Sequence, residues 1–145
     1  MANIYPEINL PQLATPRTLT PAALNKIAPF FDFDSGEFKF STKGEMILAD
    51  SRETFEQWAI KAVMTERGTR LAYSEKIGAE METAMKMKSI DAVKSSIVRT
   101  VTETILTHPR ARAVKNFLFS AEADRLQVSF DVLAIDFNTR LEVAF

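Results

Sequence analysis

The single histidine, His108, is the first residue to consider for chemistry, because imidazole is a common general base and metal ligand near neutral pH. A hydrolase triad needs a nucleophile beside the histidine, and a zinc site needs further good ligands. The sequence has no cysteine, no second histidine and no G-x-S-x-G motif. His108 precedes Pro109 at the expected end of a helix, where the ring interacts favourably with the terminal carbonyl groups. We predict no catalytic role for it.

Carboxylates occur in pairs, as at Glu75 with Glu80 and Glu122 with Asp124. A glycosidase needs two carboxylates about 5–10 Å apart across a cleft, one of them kept protonated by apolar surroundings. Here lysine and arginine are interspersed with the acids, as on a solvated face. The four glycines are scattered, so no phosphate-binding loop is indicated. We predict that the chain is not an enzyme and has no catalytic residue, no cofactor and no metal site.

Arginine is concentrated in two segments that follow predicted helices, with Arg67 and Arg70 in the first and Arg110 and Arg112 in the second. The guanidinium fork binds carboxylates in a two-pronged manner and also bonds main-chain carbonyls. Such segments suit a protein interface, and they equally suit an internal brace between helix ends and a sheet. The sequence leaves both interpretations open.

Two classes of partner are disfavoured by composition. The formal net charge of −1 lacks the surplus of lysine and arginine that a nucleic-acid backbone binder needs. No apolar run approaches the roughly 20 residues of a membrane helix. We therefore expect neither nucleic acid nor membrane as a partner.

Proline divides the chain. Five of the six prolines lie in the first 29 residues, too densely for a long helix or a paired strand. We interpret residues 1–29 as an extended N-terminal arm, with one or two helical turns between Pro21 and Ile27. Residues 30–145 are interpreted as one domain, and a length of 145 residues needs no disulfide or metal to hold a core.

Three helices are predicted in the middle of the chain. Asp50 with Glu53 fits a capping box before the first helix. The segment of residues 65–70 is expected to end that helix, with Gly68 as its C-terminal stop. A short extended piece at residues 71–73 and a helix over about residues 78–88 follow. Ser89 then begins the longest helix. One face of that helix carries Ile90, Val93, Ile97, Val98, Val101, Ile105 and Leu106.

Strands are predicted on both sides of these helices. Residues 30–49 contain phenylalanines alternating around a turn at Gly36, and a second turn at Gly44. In the C-terminal third, apolar residues alternate strictly with polar ones over residues 126–132 and again over 141–145. The fold class is thus α+β, an antiparallel sheet packed against about three helices. The last strand is expected to keep an open edge for a partner strand, since exposed edges are normally blocked.

Residues 65–73 (TERGTRLAY), followed by Gly78, resemble the threonine, glycine and arginine pattern of the phage baseplate wedge family, which is often called lysozyme-like by name. The chain is also similar to related tail proteins of contractile prophages in Gram-positive bacteria. In those proteins a Phe-Asp-Phe hairpin precedes a tryptophan-bearing helix, as residues 31–33 precede Trp58 here. The similarity covers about residues 31–145.

The resemblance implies a structural baseplate protein of the virion, assembled in the host cytoplasm. Its partners would be other baseplate wedge proteins, the tail sheath protein and the tail tube protein, with six copies per tail. The family's Glu-Pro-Arg motif, which binds the helical core bundle of the wedge, is here His-Pro-Arg. The C-terminal sheet would offer its edge to strands of the first sheath ring. The predicted partner-binding residues are His108, Pro109, Arg110, Arg67, Arg70, Leu141, Val143 and Phe145.

Two alternatives stay open at the level of sequence. One is a peptidoglycan-cleaving enzyme, as the family's name suggests. The other is a soluble bacterial adaptor unrelated to tails.

Overall fold

The computed structural model of the chain describes residues 26–145. The predicted arm and its helical turns therefore lie almost entirely outside the described residues. The last part of the predicted arm, Ala28–Pro29, forms a short strand that pairs with Leu48–Ala49. The division of the chain at residue 29 stays a prediction.

The described residues form three antiparallel sheets and three helices, which confirms the predicted α+β class. Two of the sheets are two-stranded ribbons, and the third is a three-stranded meander in the order β5-β6-β7. In chain order the elements are β1 (Ala28–Pro29), β2 (Phe31–Asp32), β3 (Glu37–Phe38), β4 (Leu48–Ala49), α1 (Ser51–Met64), α2 (Met81–Met85), α3 (Ile90–Leu106), β5 (Ala111–Glu122), β6 (Arg125–Ala134) and β7 (Asn138–Ala144).

Helix α1 begins where the capping box predicts. The Glu53 N–H donates to the Asp50 carboxylate (2.8 Å), and the Asp50 N–H donates to the Glu53 carboxylate (2.8 Å). These two bonds satisfy main-chain donors that a helix start leaves unpaired. Phe55, Ala59 and Val63 form a buried stripe along the helix.

Helix α1 ends at Met64, directly before the predicted segment of residues 65–70, but Gly68 is not its C-terminal stop. Thr65 is extended, and its carbonyl accepts a hydrogen bond from the Ala79 N–H (2.9 Å). The Arg67 N–H in turn donates to the Ala79 carbonyl (3.1 Å). These long-range bonds draw the chain out of the helix before it reaches the glycine.

Two further local predictions fail in the segment between α1 and α3. Residues 71–73 form a turn instead of an extended piece, closed by the Tyr73 N–H on the Arg70 carbonyl (3.1 Å). The second helix spans only Met81–Met85. Its start follows Glu80, whose N–H donates to the Thr100 hydroxyl of α3 (2.7 Å), so contacts with α3 define this segment.

Helix α3 begins after Ser89, as predicted, with the Ser89 hydroxyl accepting from the Ala92 N–H (3.2 Å). Its predicted apolar face is only partly correct. Ile97, Val101 and Ile105 are buried, whereas Ile90 and Leu106 at the two ends are exposed. The face is completed by buried Ser96, Thr100 and Thr104, which hydropathy alone does not reveal.

The core lies between the helices and one face of the β5-β6-β7 sheet. Val128, Phe130 and Val132 of β6 are fully buried, and Leu141 and Val143 of β7 continue the same face. This is the alternation that the sequence predicts. No helix among residues 26–145 combines the length and apolar character needed to cross a bilayer.

Candidate functional site

Strand β7 lies at one edge of the three-stranded sheet. Leu126 and Phe145 exchange both main-chain hydrogen bonds (3.0 and 2.9 Å) at the end of the β6–β7 pair. In an antiparallel ladder such hydrogen-bonded pairs alternate with pairs that are not bonded to each other. Odd-numbered residues of β7 therefore bond to β6, and even-numbered residues direct their N–H and C=O groups away from it. The outward residues are Asn138, Arg140, Glu142 and Ala144.

Within residues 26–145, no strand pairs with this outer edge of β7. The side chains of Leu141 and Val143 are buried, and the main-chain groups of both residues face β6. Phe145 packs against the same core. These three residues hold the strand in place, and their role in partner binding stays a prediction. The groups that are geometrically available to another strand belong to the alternate residues.

The two edges of the sheet differ in regularity. Seven consecutive residue pairs join β6 and β7 without a register shift. The pairing of β5 with β6 is interrupted between Ala111 and Ala113 and again between Lys115 and Leu118, and Asn116 has a φ of 54°. Bulges of this kind twist an edge and hinder the addition of a further strand. The edge of β7 has no such protection.

A groove of about 1000 Å³ runs beside β7. Helix α1 and the β2–β3 ribbon form its other sides, and residues 142–144 of β7 line it directly. The two ribbons, β1–β4 and β2–β3, together form the ribbon region, residues 28–49. Two hydrogen bonds fix this region to α1, from the Ala28 N–H to the Thr54 hydroxyl (3.2 Å) and from the Phe31 N–H to the side-chain carbonyl of Gln57 (2.7 Å). On the opposite side, Thr139 of β7 donates to the Glu56 carboxylate of α1. Hydrogen bonds therefore fix both the ribbon region and β7 to α1.

Arg110 is an internal brace. Its side chain is 5% exposed, and it bonds in a two-pronged manner to the Asp136 carboxylate just before β7. It also donates to the carbonyl (2.9 Å) and hydroxyl (2.7 Å) of Ser51, the first residue of α1. The hydrogen bond from Arg110 lowers the pKa of the Asp136 carboxyl, and the same bond raises the pKa of Arg110. Of the two interpretations that the sequence left open, this geometry corresponds to the brace.

His108 lies half-buried against the aromatic end of the core. Its ring centroid is 4.5 Å from that of Trp58 and 5.0 Å from that of Phe55. The Nδ1 atom accepts a hydrogen bond from the Arg110 N–H (3.1 Å). Burial lowers the pKa of His108, and the positive charges of Arg110 and Lys26 lower it further. The neutral form of the ring is thus favoured. Pro109, the next residue, is exposed.

Arg67 is also braced internally, whereas Arg70 is exposed. The Arg67 guanidinium donates to the Gly78 carbonyl (3.0 Å) and to the Glu80 carboxylate (3.1 Å), and lies 3.7 Å from Glu103. It therefore ties the segment after α1 to helix α3. Contact of Arg67, Arg70, His108, Pro109 or Arg110 with a partner stays a prediction.

The outward residues of β7 and the groove beside it were not identified from the sequence. Strict alternation identifies the inward residues of β7, but the side on which β6 lies must be known before the free main-chain groups can be assigned. The groove depends on the side chains of Thr54 and Gln57, which give no signal of this kind in the sequence. Among residues 26–145, no group of three or more histidines or carboxylates is arranged to hold a metal ion.

An open, regular sheet edge beside a groove is the arrangement by which protein-binding domains take up an extended segment. The chain is an α+β domain that carries such an edge and groove among its described residues. The family model described as contractile injection system sheath initiator matches residues 28–136. The chain belongs to this family.

One solved structure supports the same assignment. A chain of the cryo-EM structure of the anti-feeding prophage (AFP) baseplate, 6-fold symmetrised, is similar with 25% sequence identity and a TM-score of 0.56. The match covers 77% of this chain and 88% of that chain. No curated protein matches the chain significantly. The chain is a structural component of a contractile tail baseplate, and the family resemblance identified in the sequence is confirmed.

Replacing Arg110 with lysine tests the brace. Lysine keeps the charge but lacks the planar fork, so the bonds to Ser51 and Asp136 cannot all form. We expect a loss of about 1–3 kcal/mol in the free energy of unfolding. The half-exposed Asp136 carboxylate is solvated in the variant, which keeps the loss below that of a fully buried pair. Urea denaturation measures it. Exposed Arg112→Lys is the matched control, and equal stability of both variants would contradict the assignment.

The lowered pKa of His108 predicts a pH dependence of stability. Above the ordinary value of 6.5 the ring is neutral in both the folded and the unfolded chain. As the pH falls below that value, the unfolded chain takes up the proton more readily, so the folded state loses stability. Urea denaturation at pH 7.5 and 5.5 should show this loss in the wild type and less of it in His108→Phe, which keeps an aromatic ring. Parallel curves for the two proteins would exclude the effect.

Proposed function

We propose that the chain initiates the tail sheath by accepting a strand of the first sheath ring at the outer edge of β7. The single observation that supports this is the regular edge at Asn138, Arg140, Glu142 and Ala144, which pairs with no strand among residues 26–145 and lies beside a preformed groove. Main-chain hydrogen bonds supply the affinity in such strand addition. A regular edge strand without a bulge is a liability in a monomer, and a partner strand that covers it would remove that liability.

The dimensions of β7 suit this role. Its seven residues span roughly 23 Å at about 3.3 Å per residue. A typical strand of about five or six residues fits along that length. The buried side chains of Thr139, Leu141 and Val143 hold the strand against the core, so the edge is formed before a partner arrives. The affinity then carries little cost of ordering β7 itself.

The loop of His108, Pro109 and Arg110 is proposed to contact the helical core bundle of the baseplate wedge. This proposal extends the resemblance to the family's Glu-Pro-Arg motif. The exposed Pro109 and half-buried His108 provide the contact surface, and the buried Arg110 fixes the shape of the loop. Arg67 has the corresponding supporting role for the segment that carries exposed Arg70.

Contact with the tail tube is proposed for the ribbon region. Phe40, Met46 and Leu48 lie there with large exposed fractions of 56%, 47% and 62%. A concentration of exposed apolar side chains is typical of protein interaction surfaces. Six copies per tail are proposed in analogy to the 6-fold symmetrised baseplate that contains the similar chain. With the same role, we propose that the chain is located in the tail particle and is assembled into it in the host cytoplasm.

We also propose that the chain does not cleave peptidoglycan. The purified protein should leave the turbidity of a bacterial cell-wall suspension unchanged over hours, with lysozyme as the positive control. Clearing that disappears on replacement of one carboxylate would establish the enzymatic alternative.

Glu142→Pro tests the edge directly. Proline removes the outward N–H and places its ring where a partner strand would lie, while the bonds of Leu141 and Val143 to β6 are kept. In a producing strain that carries the variant in place of the wild type, electron microscopy should show tubes and baseplates with extended sheath reduced at least roughly tenfold, since one main-chain bond is lost and the proline ring keeps the partner strand from approaching.

The matched control is Ala121→Pro on β5. The register places Ala121 opposite Leu126, whose main-chain groups face Phe145, so the Ala121 N–H also points away from β6. The same chemical change then falls on the opposite edge of the sheet, and normal sheath is expected. Normal sheath on folded Glu142→Pro would refute strand addition at β7. Circular dichroism of both purified variants establishes that they are folded.

A further inference from the structure

The groove beside β7 is acidic. Its lining contains more carboxylates than cationic side chains, and they come from the β2–β3 ribbon, from α1 and from β7 itself. The carboxylates are Asp32, Asp34, Glu53, Glu56 and Glu142, and the cationic residues are Lys39 and Arg125. An extended segment in this groove therefore enters a negative field.

Several of these charges already have partners. Asp32 lies 3.4 Å from Lys39, Glu56 lies 2.9 Å from Arg52, and Glu53 accepts the capping bond from the main chain. Asp34 and Glu142 have no such partner, since no lysine or arginine of the described residues comes within the 4.0 Å of an ion pair to either carboxylate. These two acids lie on different sides of the groove, one after β2 and one on β7. They are positioned to attract a cation on a segment between them.

Apolar side chains also line the groove. Ile60 and Met64 continue the groove-facing stripe of α1 one and two turns beyond Glu56, and Phe33 of the ribbon lines the same groove. Gln57 accepts from the Phe31 N–H through its carbonyl oxygen, but its buried Nε2 has no acceptor among residues 26–145. The Nε2 atom has almost no accessible surface, so a segment in the groove would meet the apolar side chains and not this donor.

We infer that the segment that adds to β7 is a cationic amphipathic strand, with lysine or arginine side chains opposite Asp34 and Glu142 and apolar side chains on Ile60 and Met64. This inference rests on the proposed function and specifies the chemistry of the partner. Successive side chains of a strand point to opposite faces, so one strand presents both kinds of residue. Main-chain bonds to β7 give affinity without selectivity, and the acidic groove selects among strands of similar length.

The test is a double charge reversal, Asp34→Lys with Glu142→Lys, measured against the purified sheath protein of the same tail. The matched control, Glu122→Lys with Asp124→Lys, makes the same change at and beside the β5–β6 turn, outside the groove lining. At low salt we expect the dissociation constant to rise on the order of tenfold or more for the groove variant and to stay unchanged for the control. Added salt should weaken the wild type and leave the groove variant nearly unaffected.

The possible failures are distinguishable. If the groove variant binds the sheath protein like the wild type while Glu142→Pro abolishes binding, the cationic partner is refuted and strand addition stands. If the folded wild-type protein does not bind the sheath protein at any salt concentration, the proposed function fails and this inference fails with it. If both charge reversals weaken binding to the sheath protein equally, the proposed role of the groove is also refuted, because the effect would reflect net charge alone. Urea denaturation of all variants establishes that each one is folded.

Discussion

The buried guanidinium of Arg110 is the interaction on which the candidate site depends. It joins the first residue of α1 to Asp136, just before β7, and so fixes the two elements on either side of the groove. Apolar burial stabilises the core but is non-directional, so it does not by itself determine how α1 lies along β7. A planar fork with several hydrogen bonds restricts that geometry. Phe137 packs over the guanidinium, 4.8 Å from ring centroid to Cζ, and limits the access of water to it.

Much of the fold could be predicted from the sequence because its signals are local. The capping box at Asp50, the cap at Ser89 and the alternation in β6 and β7 each depend on a few neighbouring residues. The end of α1 was predicted to the segment of residues 65–70 but not to the residue, because bonds between Thr65, Arg67 and Ala79 override the signal of Gly68. The polar part of the buried face of α3 could not be predicted either, because the buried Thr104 hydroxyl is paired by a long-range bond to the Gly78 carbonyl (2.7 Å).

The sequence predicted the strand β7, but it did not predict which groups of that strand are available to a partner. Alternation revealed which side chains of β7 are buried, whereas the free main-chain groups belong to the intervening residues. The arginine-rich segments left interface and brace equally open, and only the partners of Arg67 and Arg110 distinguish them. The groove requires side chains from α1 to hold a ribbon more than 20 residues earlier in the chain, as Gln57 holds Phe31. Periodicity within one element carries no information about such contacts.

The order of the strands β5, β6 and β7 has a consequence for timing. Each strand of this sheet pairs with its neighbour along the chain, so the meander closes through short loops. A β-hairpin forms within about 1–10 μs, whereas the assembly of subunits takes milliseconds to minutes. We therefore expect the meander to form before the subunit meets its partners. During that interval the charged side chains of Arg140 and Glu142 lie on an edge strand, where charge disfavours pairing between copies of the chain.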